Sequence, residues 1–173
     1  GPVRVSLSGR IDFHSEYGTF FSPRVSVLAR SGRWTSRASV GTGFFASTPL
    51  TEETEAAGLT RLQVERPLEA ERGLSASFDV TRTDGSFSYT ATVFGSRITD
   101  PIHVDRSSVY VLRNLVDPTT NVGVELLGTF RKAPFAVTAT YTYVLARETV
   151  DAIDVDVPQT PRHSSGVVGM WEV

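Results

Sequence analysis

The chain has 173 residues, enough for one domain with a core and too few to demand two. Its 17 basic and 19 acidic residues leave a net charge of -2, without the basic surplus that a nucleic-acid partner requires, and its 40% hydrophobic and 10% aromatic content excludes disorder. Zero cysteines exclude a disulfide framework and thiolate chemistry.

In chain order, alternation of apolar and polar residues predicts eight strands and no convincing helix. The first runs from Val3 to Phe13, with Val3, Val5, Leu7, Gly9, Ile11 and Phe13 on one face and Arg4, Ser6, Ser8, Arg10 and Asp12 on the other. Phe21 to Arg30 follows, and Ser31-Gly32 reads as a tight turn into Trp34 to Phe45. A polar stretch from Ala46 to Ala70 contains the one helix-like segment, Thr51 to Gly58, which is short and has no apolar stripe. Leu74 to Thr81 resumes the alternation, and Asp84-Gly85 turns it into Phe87 to Ile98 because glycine accepts the positive φ of a type I′ turn. After a loop from about Thr99 to Pro118, Val122, Val124, Leu126, Gly128 and Phe130 share a face. "RKAP" then leads into a strand with Phe135, Val137, Ala139, Tyr141, Tyr143 and Leu145 on one side and threonines on the other. A polar loop from Arg147 to Gln159 precedes the last strand, where Ser165, Val167, Gly169, Trp171 and Val173 form one face.

Connections alternate between short turns and long loops, apart from the short Tyr17 to Phe20 link on the long-loop side. Sorting loops by rim, strands of barrel-spanning length, and aromatics gathered near strand ends all favour a transmembrane barrel whose apolar face meets lipid. No apolar run is long enough for a membrane helix, and no secretory leader is visible; if the protein is exported, its export signal has been removed or lies upstream. A soluble or surface-attached β-sandwich binding domain, or a solenoid, is the alternative that periodicity leaves open.

Five strings carry more than periodicity: "GRIDFHSEYG" with "FSPRVSV", "WTSRASVGTGFFASTPLTEE", "TNVGVELLG", "ATYTYVLARE" and "TPRHSSGVVGMWEV". Their order resembles the C-terminal half of the barrel in TonB-dependent outer-membrane receptors. There a Ser-Pro-Arg strand precedes an Arg-x-Ser-x-Gly-x-Gly-Phe strand, then Gly-Val-Glu, Tyr-Thr-Tyr and Pro-Arg-His. The resemblance implies an all-β fold, an antiparallel transmembrane β-barrel segment spanning 1–173 as a single unit, cut from a barrel of about 22 strands. It also implies import of a scarce ligand such as a ferric siderophore, cobalamin or an oligosaccharide across the outer membrane of a Gram-negative bacterium. The partners would be outer-membrane lipid, a small-molecule ligand, and the TonB complex acting through a plug that this chain does not contain. The chain departs from the whole-family pattern in lacking a plug and TonB-contacting box, in its strand number, and in ending at Glu172-Val173 rather than on an aromatic.

Candidate ligand-binding residues are Arg10, Arg24 and Arg37, which share the polar face with Arg4, Arg30 and Arg33 and could steer an anion; the plainer reading pairs them with Asp12, Asp79 and Glu125. Glu52 and Glu53, with Glu55, could take a cationic group or simply be solvated. Tyr17, Phe20, Phe44, Phe45 and Tyr110 could line an outer vestibule or pack in the wall. Asp151, Asp154 and Asp156 alternate in the manner of oxygen ligands to calcium, but not with EF-hand spacing, and "GTGFFA" matches a dinucleotide fingerprint without the helix it needs. His14, His103 and His163 lack metal-ligand spacing, so no metal site, cofactor or catalytic group is expected and the chain reads as no enzyme.

Overall fold

The computed structural model describes residues 2–46, 62–65, 67–106, 110–150 and 152–171. In chain order the strands are β1 (Val3–His14), β2 (Gly18–Ser31), β3 (Trp34–Phe45), β4 (Leu62–Val64), β5 (Glu71–Asp84), β6 (Phe87–Thr99), β7 (Ile102–Arg106), β8 (Tyr110–Asn114), β9 (Thr119–Lys132), β10 (Phe135–Val150), β11 (Ile153–Asp156) and β12 (His163–Trp171). The eight long ones are the eight that alternation predicts. The four short ones lie inside stretches read as loops, and the helix-like segment Thr51 to Gly58 lies outside the described residues.

The long strands form one antiparallel meander in the order β1-β2-β3-β5-β6-β9-β10. The free edge of β10 is shared, with β12 pairing Phe135 to Tyr143 and β11 pairing Arg147 to Val150. Thus β10 outruns the predicted strand, continuing as a hairpin clipped by Thr149 Oγ1 donating to Asp154 at 2.8 Å. The remaining strands, β4, β8 and β7, make a separate small sheet in which β4 runs parallel to β8.

Cross-strand register keeps the predicted apolar positions among the described residues in one phase; Val173 lies outside them. Val5 stands opposite Val27, Val27 opposite Ala38, Ala38 opposite Phe78, Phe78 opposite Val93, Val93 opposite Val124, and Val124 opposite Tyr143. No second large sheet covers that face among the described residues: Val5 is 63% exposed, Phe13 83% and Val167 73%. A sandwich would bury these side chains, so the sandwich alternative fails and the apolar face calls for a non-aqueous surrounding. The opposite face is knit by hydroxyls across strands, Ser26 to Ser39 at 3.0 Å and Thr81 to Thr90 at 2.8 Å.

The ladders also fix a tilt. One row perpendicular to the strands runs through Leu28, Arg37, Asp79, Thr92, Glu125 and Thr142. Leu28 lies three residues from the turn-proximal Ser31, Asp79 five from Asp84, and Glu125 seven from Lys132, although these turns share a rim. The stagger is therefore one residue per strand. With about 3.3 Å per residue along a strand and about 4.8 Å between strands, it corresponds to a tilt of about 35°, as in closed barrels. At that tilt each residue gains about 2.7 Å of height.

Aromatic side chains collect on the apolar phase at the short-turn rim. Phe87 and Phe130 are 4.8 Å apart, Phe135 lies 6.0 Å from Trp171, and the Arg82 guanidinium sits 5.3 Å over the Trp34 ring. At the other rim one ladder opens early. The β2–β3 pairing stops at Arg24 and Gly41, next to Pro23, which has no N–H to donate, while β1 stays paired with β2 to His14. Continued pairing would set Phe21 opposite Phe44; instead the strands part and Phe20 stacks on Phe44 at 4.0 Å and 6°. Phe20 is thereby buried within the wall rather than placed in an outer aromatic belt.

Gly123 on β9 shows how closely that wall is packed. A methyl group there would lie 2.6 Å from the Tyr143 carbonyl oxygen and 2.5 Å from the Phe94 ring. Gly123→Ala is expected to cost about 1–3 kcal/mol in urea unfolding. Phe94→Ala should restore only part of it, because the carbonyl belongs to the β10 backbone. Gly128→Ala, whose added methyl meets nothing within 4 Å, should leave the curve nearly unchanged.

Candidate ligand-binding site

The polar face carries a basic patch built by strand parity. Arg10 on β1 and Arg24 on β2 line one groove with Ser8, Ser22 and Gly41. Arg24 continues into a second groove with Arg4, Arg37 and Asp79. The three arginines picked from sequence are therefore contiguous, with Arg24 between the other two. Arg10 is held by Asp12 at 2.7 Å, and Arg37 stands directly across from Asp79. Arg24 has no carboxylate partner among the described residues. Arg33 leaves this group for the short-turn rim, where it joins Asp84 together with Arg82. An anion arriving at the patch meets at least one guanidinium that no carboxylate among the described residues neutralises.

A second assembly stands at the long-loop end. The buried hydrophobic side chains of the core among those described, apart from Phe20, are Ala70, Leu112 and Leu115, all in or beside the small sheet. Asn114 closes β8 and ties two connections together: its Nδ2 donates to Asp100 O at 2.6 Å and Glu69 O at 3.1 Å, and its Oδ1 accepts from Glu69 N at 2.8 Å. Glu71 Oε1 accepts from Ile102 N at 2.6 Å, and His103 Nδ1 lies 3.7 Å from Glu148 on β10. The described parts of the connections between β3 and β5 and between β6 and β9 thus form one braced platform. Sequence reading missed Asn114 and Glu71, since neither lies in an alternating run.

The remaining predicted residues are dispersed. Tyr17 sits in the β1–β2 turn with its ring 5.0 Å from His14, whose Nδ1 accepts the Glu16 and Tyr17 amides at 3.2 Å. Phe44 falls in the apolar phase opposite Arg72, Phe45 in the polar phase opposite Glu71, and Tyr110 on β8 of the small sheet. Glu52 and Glu53 lie outside the described residues. Asp154 is engaged by Thr149, and Asp156 holds Arg162 at 2.6 Å, a hydrogen bond that raises the guanidinium above its ordinary pKa. His163 Nδ1 is 2.9 Å from the Tyr141 hydroxyl.

Comparison with known proteins matches residues 1–172 to a family model described as TonB dependent receptor-like, beta-barrel. Among solved structures, the siderophore receptor PirA from Pseudomonas aeruginosa is 18% identical with a TM-score of 0.72, over 84% of this chain and 29% of that one. A mutant of the ferric enterobactin receptor PfeA from Pseudomonas aeruginosa, in complex with enterobactin, is 16% identical with a TM-score of 0.73, over 99% of this chain and 28% of that one. The copper transporter OprC is 14% identical with a TM-score of 0.70, over 90% of this chain and 25% of that one. This chain spans less than a third of each of these structures. No curated protein matches the sequence.

Proposed function

The chain belongs to the TonB-dependent receptor β-barrel family, and on that premise we propose that it forms part of the wall and outer loops of a receptor that imports a scarce, anionic small ligand of the ferric siderophore class. In this reading residues 1–173 act as one barrel segment in a Gram-negative outer membrane. The apolar face meets lipid, the polar face lines the lumen, and the braced loops face the medium. Energy comes from TonB through a plug outside this chain.

The observation that carries the reading is the contiguous Arg10, Arg24 and Arg37 patch on the lumenal phase, whose central guanidinium has no carboxylate partner among the described residues. Ferric catecholates are anionic, so such a patch attracts them where it would leave a neutral chelate indifferent. Tyr17 in the β1–β2 turn, Phe45 at the end of β3 and Tyr110 on β8, with Glu52 and Glu53 from the sequence between β3 and β5, would make the first contact.

The test uses the intact receptor carrying this chain in cells stripped of other siderophore receptors. Uptake of radioactive iron is followed from ferric enterobactin, which is anionic, and from ferrichrome, which is neutral. Arg24→Glu with Arg37→Glu is expected to lower uptake of the anionic chelate by at least about tenfold at limiting concentration, the effect of losing even one of the two charge-assisted contacts. Ferrichrome uptake, if any, should change little. Equal losses for both would remove the electrostatic assignment, and no TonB-dependent uptake of any chelate would remove the siderophore reading itself.

A further inference from the structure

Two arginines occupy the apolar phase at the long-loop end. Arg72 on β5 stands opposite Thr99 on β6, and Arg97 stands opposite Leu74, so the two are diagonal neighbours on one face. Neither has a carboxylate partner among the described residues. The contrast lies lower on the same strand, where Arg82 packs over Trp34 and is neutralised by Asp84 at 3.0 Å. Counting along the β5–β6 ladder, Arg97 is level with a position eight residues above Arg82 and Arg72 lies ten above it. At about 2.7 Å of height per residue the pair sits roughly 22–27 Å above Arg82, which matches the apolar band of about 25 Å in outer-membrane barrels. Arginine therefore marks each edge of the band, one below and two above, and among the described residues only the lower one stands beside a carboxylate.

The upper pair also borders a cavity. Where β2 and β3 part, a pocket of about 440 Å³ is lined by Arg72 and Arg97 with Phe20, Phe21, Phe44 and Leu74. The Arg72 guanidinium is held 5.8 Å from the Phe20 ring, itself stacked on Phe44, which fixes the cation at the pocket wall. A guanidinium pair on an apolar surface at the edge of a bilayer, beside an apolar cleft, is complementary to a lipid whose headgroup carries phosphate and whose chains are hydrocarbon. From this geometry we infer that the Arg72–Arg97 pocket is a binding site for a phosphorylated lipid of the outer leaflet, with phosphate between the guanidinium groups and an acyl chain against Phe21 and Leu74. The outer leaflet of the Gram-negative outer membrane is built of such a phosphorylated glycolipid.

The inference rests on the reading that the apolar face meets lipid, and the experiment separates the two. The intact receptor is purified in detergent and examined by native mass spectrometry with added diphosphorylated lipid A. Wild type should retain lipid A, and Arg72→Gln with Arg97→Gln should lower the retained fraction about tenfold. Lipid A stripped of phosphate should bind wild type no better than the double variant. Retention of a heat-modifiable band by the double variant shows that it folds. Equal retention of lipid A by both proteins, equal retention of the dephosphorylated lipid, or displacement by millimolar inorganic phosphate alone would overturn the site. Independently, a fluorophore on Ala139→Cys should be quenched by a lipid-borne quencher while one on Thr140→Cys is not; failure there would remove the face assignment and leave the arginine result to stand or fall separately.

Discussion

Ala139→Arg is expected to cost the folded barrel about 2–4 kcal/mol, and Thr140→Arg, one residue further along the same strand, less than about 1. Ala139 lies four residues above Phe135, which at the barrel tilt is about 11 Å above the lower aromatic belt and close to the middle of a band about 25 Å high. Its cross-strand neighbours are Gly128 and Val167, neither of which offers a side-chain acceptor to a guanidinium. Snorkelling to either edge would have to cover half the band. Thr140 points the other way, with its hydroxyl 3.4 Å from Gly166 O, and an arginine there reaches the polar face, where Glu125 stands opposite Thr142. The measurement is urea unfolding of the intact protein in phospholipid vesicles, both variants against wild type. Equal costs, or the larger cost at 140, would reverse the assignment of faces.

This asymmetry between adjacent residues explains why so much of the large sheet was legible in the sequence. A wall one residue thick, apolar on one face and polar on the other, constrains each strand position, so period two survives through the eight long strands with no slip in any ladder. Ser31-Gly32 and Asp84-Gly85 were readable because their glycines adopt the positive φ the turns require, 56° and 58°. The grouping of Arg10, Arg24 and Arg37 followed from the same parity. What escaped has a common cause. β4, β7, β8 and β11 are three to five residues long, too short for a pattern, and β4 pairs in parallel with a strand more than forty residues away. Arg72 fell outside the segment that alternation began at Leu74, and Arg97 sits in a phase otherwise held by Tyr89, Ala91 and Val93. The parting of β2 from β3 is a tertiary event whose only local sign is Pro23.

The outer platform is where a single side chain is expected to matter most for capture. Asn114 makes three hydrogen bonds, two to Glu69 backbone atoms and one to Asp100 O, and it follows the fully buried Leu112 on β8. Asn114→Ala leaves those three backbone groups to water or to nothing, a loss of about 2–4 kcal/mol at roughly 1 kcal/mol per bond. Because the bonds join separate connections, that loss is local and falls on the opening of the loops rather than on the barrel. Hydrogen exchange of the intact receptor should show the amides of β4, β7 and β8 exchanging on the order of a hundredfold faster, while those of β9 and β10 in the large sheet keep their protection. Asn114→Asp is expected to do no better, since it retains the acceptor for Glu69 N but sets a carboxylate against two carbonyl oxygens. A capture surface that must order itself on contact spends part of its binding energy doing so, so both variants should bind ligand more weakly even with the basic lumenal patch intact. Unchanged protection in β7 and β8 would mean that the buried leucines alone hold the platform. Faster exchange with undiminished ligand affinity would mean that the ligand bypasses the platform and engages the lumen directly.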